Sequence, residues 1–406
     1  MLILGALRDF RIRRLWLGQV GSSVGDELYR MAFIWVAVEL LGADTGYAAA
    51  VQMAAVLVFG IFFGGLGDRF RPDRVMISVD LIRAALSLFP ALLYLFGKPS
   101  YPLLLASTVF MGALGTYFDP AMQSSLPLLV RDTRRLRGAN GLMGTTYRLA
   151  RVLGPGLIAL LSAWVPIYHF FTINALSYLF SASSIHSLSP QYPSAPSEPP
   201  ARKAPWPVLR ESLAWIREEG AIHRGFWFKC FCGGVWAAVY LVGFALLAHR
   251  FEAQGAGTSG LGAYGWIMGA YGVGNLVSVL VFGSLERRSS EGWIYFGFLL
   301  IGISFVGMAQ ARTLPELCFF SAIGAVGGPV NDLPFLEMLQ ARFPPSKLNR
   351  LVRLRIIAET FFNLVFALLS PFLFRWAGVP GSIAGAGWLC VGLSVVFYLR
   401  SRSAPG

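Results

Sequence analysis

The sequence predicts an all-α membrane protein with twelve transmembrane helices arranged as two pseudo-symmetric six-helix bundles. Three observations predict it. Of 406 residues, 55% are hydrophobic and 14% charged, a balance far more apolar than a water-soluble domain carries. Apolar runs of about 20 residues, the length that crosses the hydrocarbon core of a bilayer, recur with short polar breaks along the chain. Lys and Arg segregate between alternate breaks, as they do where cytoplasmic loops retain positive charge.

Taken in order, the runs place spans at 15–41, 46–67, 75–97, 103–128, 139–163, 166–186, 223–249, 260–284, 292–311, 315–339, 351–375 and 383–400. Arg8, Arg11, Arg13 and Arg14 precede the first, without a small-residue cleavage site, so no cleavable signal is expected. One side of the membrane collects these four, then Arg69, Arg71 and Arg74, and Arg131, Arg134, Arg135 and Arg137. On the same side lie Arg202, Lys203, Arg210, Arg217, Arg224, Arg287, Arg288, Arg342, Lys347, Arg350, Arg400 and Arg402. The other side holds only Lys98, Arg250, Arg312 and Arg375. Both termini are therefore expected in the cytoplasm. The net charge of +13 has its cause in these loops, and no nucleic-acid partner is expected.

The longest break lies between spans six and seven. Seven prolines from Pro190 to Pro207 disfavour a continuous helix there. The stretch up to Glu219 then sets Leu209, Leu213 and Ile216 at helical spacing, which predicts an amphipathic helix on the cytoplasmic membrane surface. Residues 1–186 are thus expected as an N-terminal six-helix bundle, 187–222 as a cytoplasmic linker and 223–406 as a C-terminal bundle. The halves echo each other: Pro120 leads through a basic loop to Asn140-Gly-Leu142, and Pro329 leads at equal spacing to Asn349-Arg-Leu351.

Ionisable groups inside apolar spans are costly, so each is a functional candidate. Asp26, Glu27 and Arg30 fall in span one, Asp80 and Arg83 in span three, Arg148 and Arg151 in span five, Asp332 and Glu337 in span ten and Glu359 in span eleven; Lys229 opens span seven. Asp26 with Arg30, and Asp80 with Arg83, have the spacing of intrahelical pairs. Asp80 and Arg83 are expected to brace a cytoplasmic gate. Two roles are open to Asp26, a structural one and the uptake and release of a proton. Two are likewise open to Arg148 and Arg151: binding an anionic part of a ligand, or compensating Asp119 and Asp26. Trp227, Phe231, Trp236 and Tyr240 in span seven could form an aromatic substrate wall or simply pack. The cysteines, Cys230, Cys232, Cys318 and Cys390, lie in apolar stretches and read as packing residues; no metal site and no cofactor are expected.

The run from Gly64 to Val75, with Gly64, Leu66, Asp68, Arg69 and Arg74 in place, resembles the signature loop of the major facilitator superfamily; Arg71 and Pro72 stand where a second glycine is usual. Leu15 to Gln19, Ser22 to Asp26, Val79 to Ala84, and Ala139 to Leu142 running on to Gly154-Pro155-Gly156, resemble the macrolide-efflux and enterobactin-exporter-like group of that superfamily. The resemblance implies a secondary transporter in a bacterial inner membrane, a monomer exporting an amphipathic drug- or siderophore-like molecule by alternating access, with H+ as the coupling ion. A lysophospholipid flippase is an alternative, since Gly25-Asp26 resembles that related group too, and a non-transporting sensor is another. Gly64, Asp68, Arg69, Arg74, Asp80 and Arg83 would form the cytoplasmic gate; Asp26, Glu27, Arg30, Arg148, Arg151 and Glu359 would serve the cavity or coupling. Physically, Asp68 could hold the gate shut against the positive N-terminus of span eleven near Asn349. An enzyme is not expected: the chain has no HExxH, no GxSxG and no phosphate-binding loop.

Overall fold

The computed structural model describes residues 7–62, 70–97, 100–130, 132–192, 205–253, 259–285 and 289–403. Among them the regular secondary structure is helical, with no strand. In chain order the helices are α1 (Phe10–Leu41), α2 (Thr45–Phe62), α3 (Pro72–Leu95), α4 (Tyr101–Leu129), α5 (Thr133–Leu161), α6 (Tyr168–His186) and α7 (Pro205–Glu218). There follow α8 (Gly220–Ala238), a π-helical turn over Val239–Gly243, α9 (Phe244–Ala253), α10 (Gly260–Ser284), α11 (Glu291–Gln310), α12 (Leu314–Arg342), α13 (Pro345–Trp376) and α14 (Gly378–Ser403). Eight stretches among the described residues are long and apolar enough to cross a membrane, with 10–61 taken as one. In such a medium the backbone must satisfy its own hydrogen bonds, which helices do.

Cα packing divides the chain into two compact units, residues 1–40 with 54–202, and residues 41–53 with 203–406. In the first, Ile12, Leu15, Met76, Val79, Phe118, Met122, Leu126, Leu142 and Ile185 build a core from α1, α3, α4, α5 and α6. Lipid gives no hydrophobic drive for helices to associate, so small residues and side-chain hydrogen bonds carry the packing. A Cβ on Gly25 would lie 2.3 Å from Ser177 Oγ and 2.6 Å from Asn174 Oδ1, so only glycine lets α1 approach α6 this closely. Ser87 Oγ donates to the Phe171 carbonyl at 2.9 Å, tying α3 to α6. Trp16 Nε1 donates to Thr146 Oγ1 at 2.9 Å, tying α1 to α5.

The second unit uses the same devices. Ser321 Oγ donates to the Ile267 carbonyl at 2.8 Å, and Ser278 Oγ to that of Val326 at 2.9 Å, joining α10 to α12. Ser304 Oγ reaches the Phe320 carbonyl at 2.6 Å, joining α11 to α12. The start of α2 packs on the end of α13: Asp44 pairs with Arg375 at 2.9 Å, and a Cβ on Gly46 would lie 2.2 Å from Ser370 Oγ.

The helix expected on the membrane surface forms as α7, but its inner face is spent on protein. Ser212 and Ile216 are fully buried. Glu211 pairs with Arg350 at 3.1 Å, and Lys347 Nζ sits 4.3 Å above the Trp215 ring, so α7 docks on the first turns of α13. Trp206, Arg210 and Arg217 stay exposed.

Candidate functional site

In the first unit three helices bring their charged groups to one place, and two more bring hydroxyls. Asp26 of α1 accepts a hydrogen bond from the Tyr178 hydroxyl of α6. Asp80 of α3 is fully buried, with Ser181 of α6 beside it, and Ser181 Oγ accepts from Gln19 Nε2 at 3.2 Å. Asp119 of α4, just before Pro120, accepts from the Tyr147 hydroxyl of α5. Between them lies the Arg83 guanidinium, 5.4 Å from the Phe118 ring centre and 5.6 Å from that of Tyr178, and donating to the Met111 carbonyl at 3.4 Å. Its charge acts on Asp26, Asp80 and Asp119 alike. One cation thus faces three carboxylates.

That arrangement corrects one expectation: Arg30 pairs with Glu27, while Asp26 turns toward α6. Asp80 and Arg83, expected to brace a gate, lie in the Asp26 cluster, with Arg83 about halfway along α3. Gly64, Asp68 and Arg69 lie outside the described residues, and Arg74 is exposed in the first turn of α3. Arg71, the departure from the signature loop, holds the buried Asp73 through contacts of 3.0 and 2.9 Å and donates to the Ser189 carbonyl at 2.8 Å. Asp73 in turn sits where a helix N-terminus favours an anion.

Beside the cluster a cleft of about 290 Å³ opens between α1, α4 and α5. Gln19, Ser23, Asp119, Gln123, Asn140, Thr146 and Tyr147 give it polar walls, and Met122, Leu126 and Met143 apolar ones. Arg148 and Arg151 are exposed and form no ion pair with a carboxylate among the described residues.

The second unit holds its own cluster. Lys229 of α8 contacts Asp332 of α12, donates to Asn331 Oδ1 at 2.8 Å and lies 3.4 Å from Glu359 of α13. Arg355 approaches Asp332 at 3.6 Å and Glu359 at 3.9 Å. Among the described residues, two cations here balance two anions. Glu337 stays apart, accepting from Ser289. The aromatic residues of α8 and its π-helical turn do not form one wall. Trp227 and Phe231 turn to Phe362 on α13, at 6.3 and 6.1 Å between ring centres, whereas Trp236 stacks on Tyr240 at 4.7 Å and approaches Tyr271 of α10.

A polar cleft and two ion clusters, each with one fully or nearly buried member, Asp80 and Lys229, lie inside apolar helices, and the family comparison decides the class. The model of the transmembrane secretion effector family matches residues 3–330. The chain belongs to that family. Its membership of the major facilitator superfamily follows, and with several helices apolar enough to cross a bilayer it is a multi-pass membrane protein. Macrolide efflux protein A of Streptococcus pyogenes is 30% identical over 159 residues, 37% of this chain and 38% of that protein. The same protein from Streptococcus pyogenes serotype M6 matches equally. The match thus spans less than two fifths of these relatives' length. In fold, the effector is similar to the POT family transporter PepTSo, with a TM-score of 0.74 at 12% identity over 97% of this chain and 98% of that one. A POT family transporter bound to a thioalcohol-conjugated peptide gives 0.71 at 12% identity, over 97% and 96%.

Proposed function

We propose that the chain is a proton-coupled exporter of an amphipathic small molecule, working by alternating access with twelve spans in two pseudo-symmetric bundles. On this reading it is a monomer in a bacterial inner membrane with both termini in the cytoplasm. The observation that carries the coupling is the charge imbalance of the first unit: among the described residues, the fully buried Asp80, the half-buried Asp26 and the cleft-lining Asp119 have Arg83 as their shared cation. Unpaired carboxylates in a low-dielectric interior cost several kcal/mol each, and a proton is the smallest ligand that removes that cost. A cycle follows from the arrangement. When Arg83 moves toward one acid, another is left to take a proton, and return of the guanidinium expels it. The balanced Lys229, Arg355, Asp332 and Glu359 cluster has no such need and serves to hold α8, α12 and α13 together.

The efflux direction is supported by the family and by the macrolide efflux relatives. Proteoliposomes with an imposed pH gradient test the coupling. Solute movement that accelerates at least tenfold with the gradient, and returns to the ungraded rate in Asp26→Asn, is expected; movement indifferent to the gradient rules the coupling out.

A further inference from the structure

The two guanidiniums that the Asp26 cluster does not use have a site of their own. Asn140, Gly144, Tyr147, Arg148 and Arg151 are all exposed. At 100° per residue they fall within about 100° of one face of α5. Ala139, Met143, Thr146, Ala150 and Gly154 occupy the buried arc beside it, where Thr146 meets Trp16 and Gly154 meets Glu27. Arg148 and Arg151 stand about 22 and 27 Å along the helix from its first residue, near the middle of its 29 residues. Guanidiniums on the helices of a membrane protein almost always face the bundle interior or a water-filled cavity.

Compensation of these acids is already assigned, because Arg83 is the cation that acts on Asp26, Asp80 and Asp119. Glu27 is likewise taken by Arg30. Arg148 and Arg151 therefore remain open, on the same face as Asn140, Gly144 and Tyr147 and within about three turns of them; those three residues also line the cleft. Met122, Leu126 and Met143 give the same cleft an apolar wall. Two forked donors beside a mixed cleft match a ligand with an anionic head and an apolar body.

We propose that the exposed face of α5 binds the anionic head of an amphipathic ligand through Arg148 and Arg151, with its apolar part in the cleft against Met122, Leu126 and Met143. This rests on the transporter reading and narrows its substrate class to amphiphiles bearing a carboxylate or phosphate. The head can come from a bilayer lipid or from a soluble amphiphile.

The test is equilibrium binding to the purified full chain in uncharged detergent, with three probes of equal chain length: a lysophosphatidylglycerol, a free fatty acid and a neutral monoacylglycerol. Both anionic probes should bind at least tenfold more tightly than the neutral one. Arg148→Gln with Arg151→Gln should erase that preference, and Arg148→Lys with Arg151→Lys should keep most of it. Tighter binding of the lysophospholipid than of the fatty acid assigns the head to a lipid; the reverse assigns it to a soluble amphiphile. Equal binding of charged and neutral probes, or a preference that survives the double Gln variant, overturns the proposal. Gradient-driven flux is measured on the same preparations. Flux without anion preference sinks this inference alone, and anion preference without flux sinks the transporter reading alone.

Discussion

At the scale of single residues, the charges in apolar runs are visible in one dimension, but their partners are not. Asp26, Asp80, Arg83 and Glu359 stand out because an ionisable group in a span is expensive wherever it points. Which group relieves the expense depends on contacts far along the chain. Tyr178 lies 152 residues from Asp26, and Asp332 lies 103 from Lys229. The i,i+4 spacing paired Asp26 with Arg30 on paper, yet Arg30 takes Glu27. Arg355 gave no signal apart from the basic stretch around it, Tyr147 gave none, and Asp119 entered only as an acid that Arg148 and Arg151 could compensate. The second cluster makes a residue-scale prediction. Lys229→Met leaves Arg355 facing two acids and should destabilise the protein by about 1 kcal/mol, because Asp332 is more than half exposed and the pair is screened, seen as a lower thermal midpoint in detergent. Adding Glu359→Gln restores the balance and should recover most of the loss; a double variant no more stable than the single would contradict the balanced-cluster account.

At the scale of elements, more was legible. Helices form over the apolar runs because a backbone in hydrocarbon has few other ways to satisfy itself, and α7 appears where Leu209, Leu213 and Ile216 predicted it. What covers α7 was not legible, because an apolar stripe fits lipid and protein alike. Trp215→Ala should loosen it by roughly 0.5–1 kcal/mol, the worth of an exposed cation–π contact. Faster hydrogen exchange in 205–218 without a change in 314–342 would be the readout. The α1–α6 crossing gives a sharper contrast. Gly25→Leu has no room beside Ser177 and Asn174 and should abolish folded yield, whereas Gly144→Ala meets nothing within 4 Å and should leave yield unchanged. Equal yields, measured by size-exclusion chromatography, would mean that α1 does not need this approach.

At the scale of the molecule, the described residues set three acids around one guanidinium in one unit and two acids beside two cations in the other, and on the proposed reading the first couples and the second braces. The account requires the polar face of α5 to meet water from both sides of the membrane in turn. Gly144 reports on it directly, since a cysteine fits there without contact. Cys230, Cys232 and Cys390 are buried, and Cys318, half-buried, is replaced by Ala in the same chain. The decisive measurement is labelling of Gly144→Cys in sealed vesicles by a membrane-impermeant thiol reagent, added to one side or the other, with and without a pH gradient. The account predicts labelling from both sides, in proportions that the gradient shifts. Labelling from one side only under every condition, or only by a lipid-soluble reagent, would contradict it.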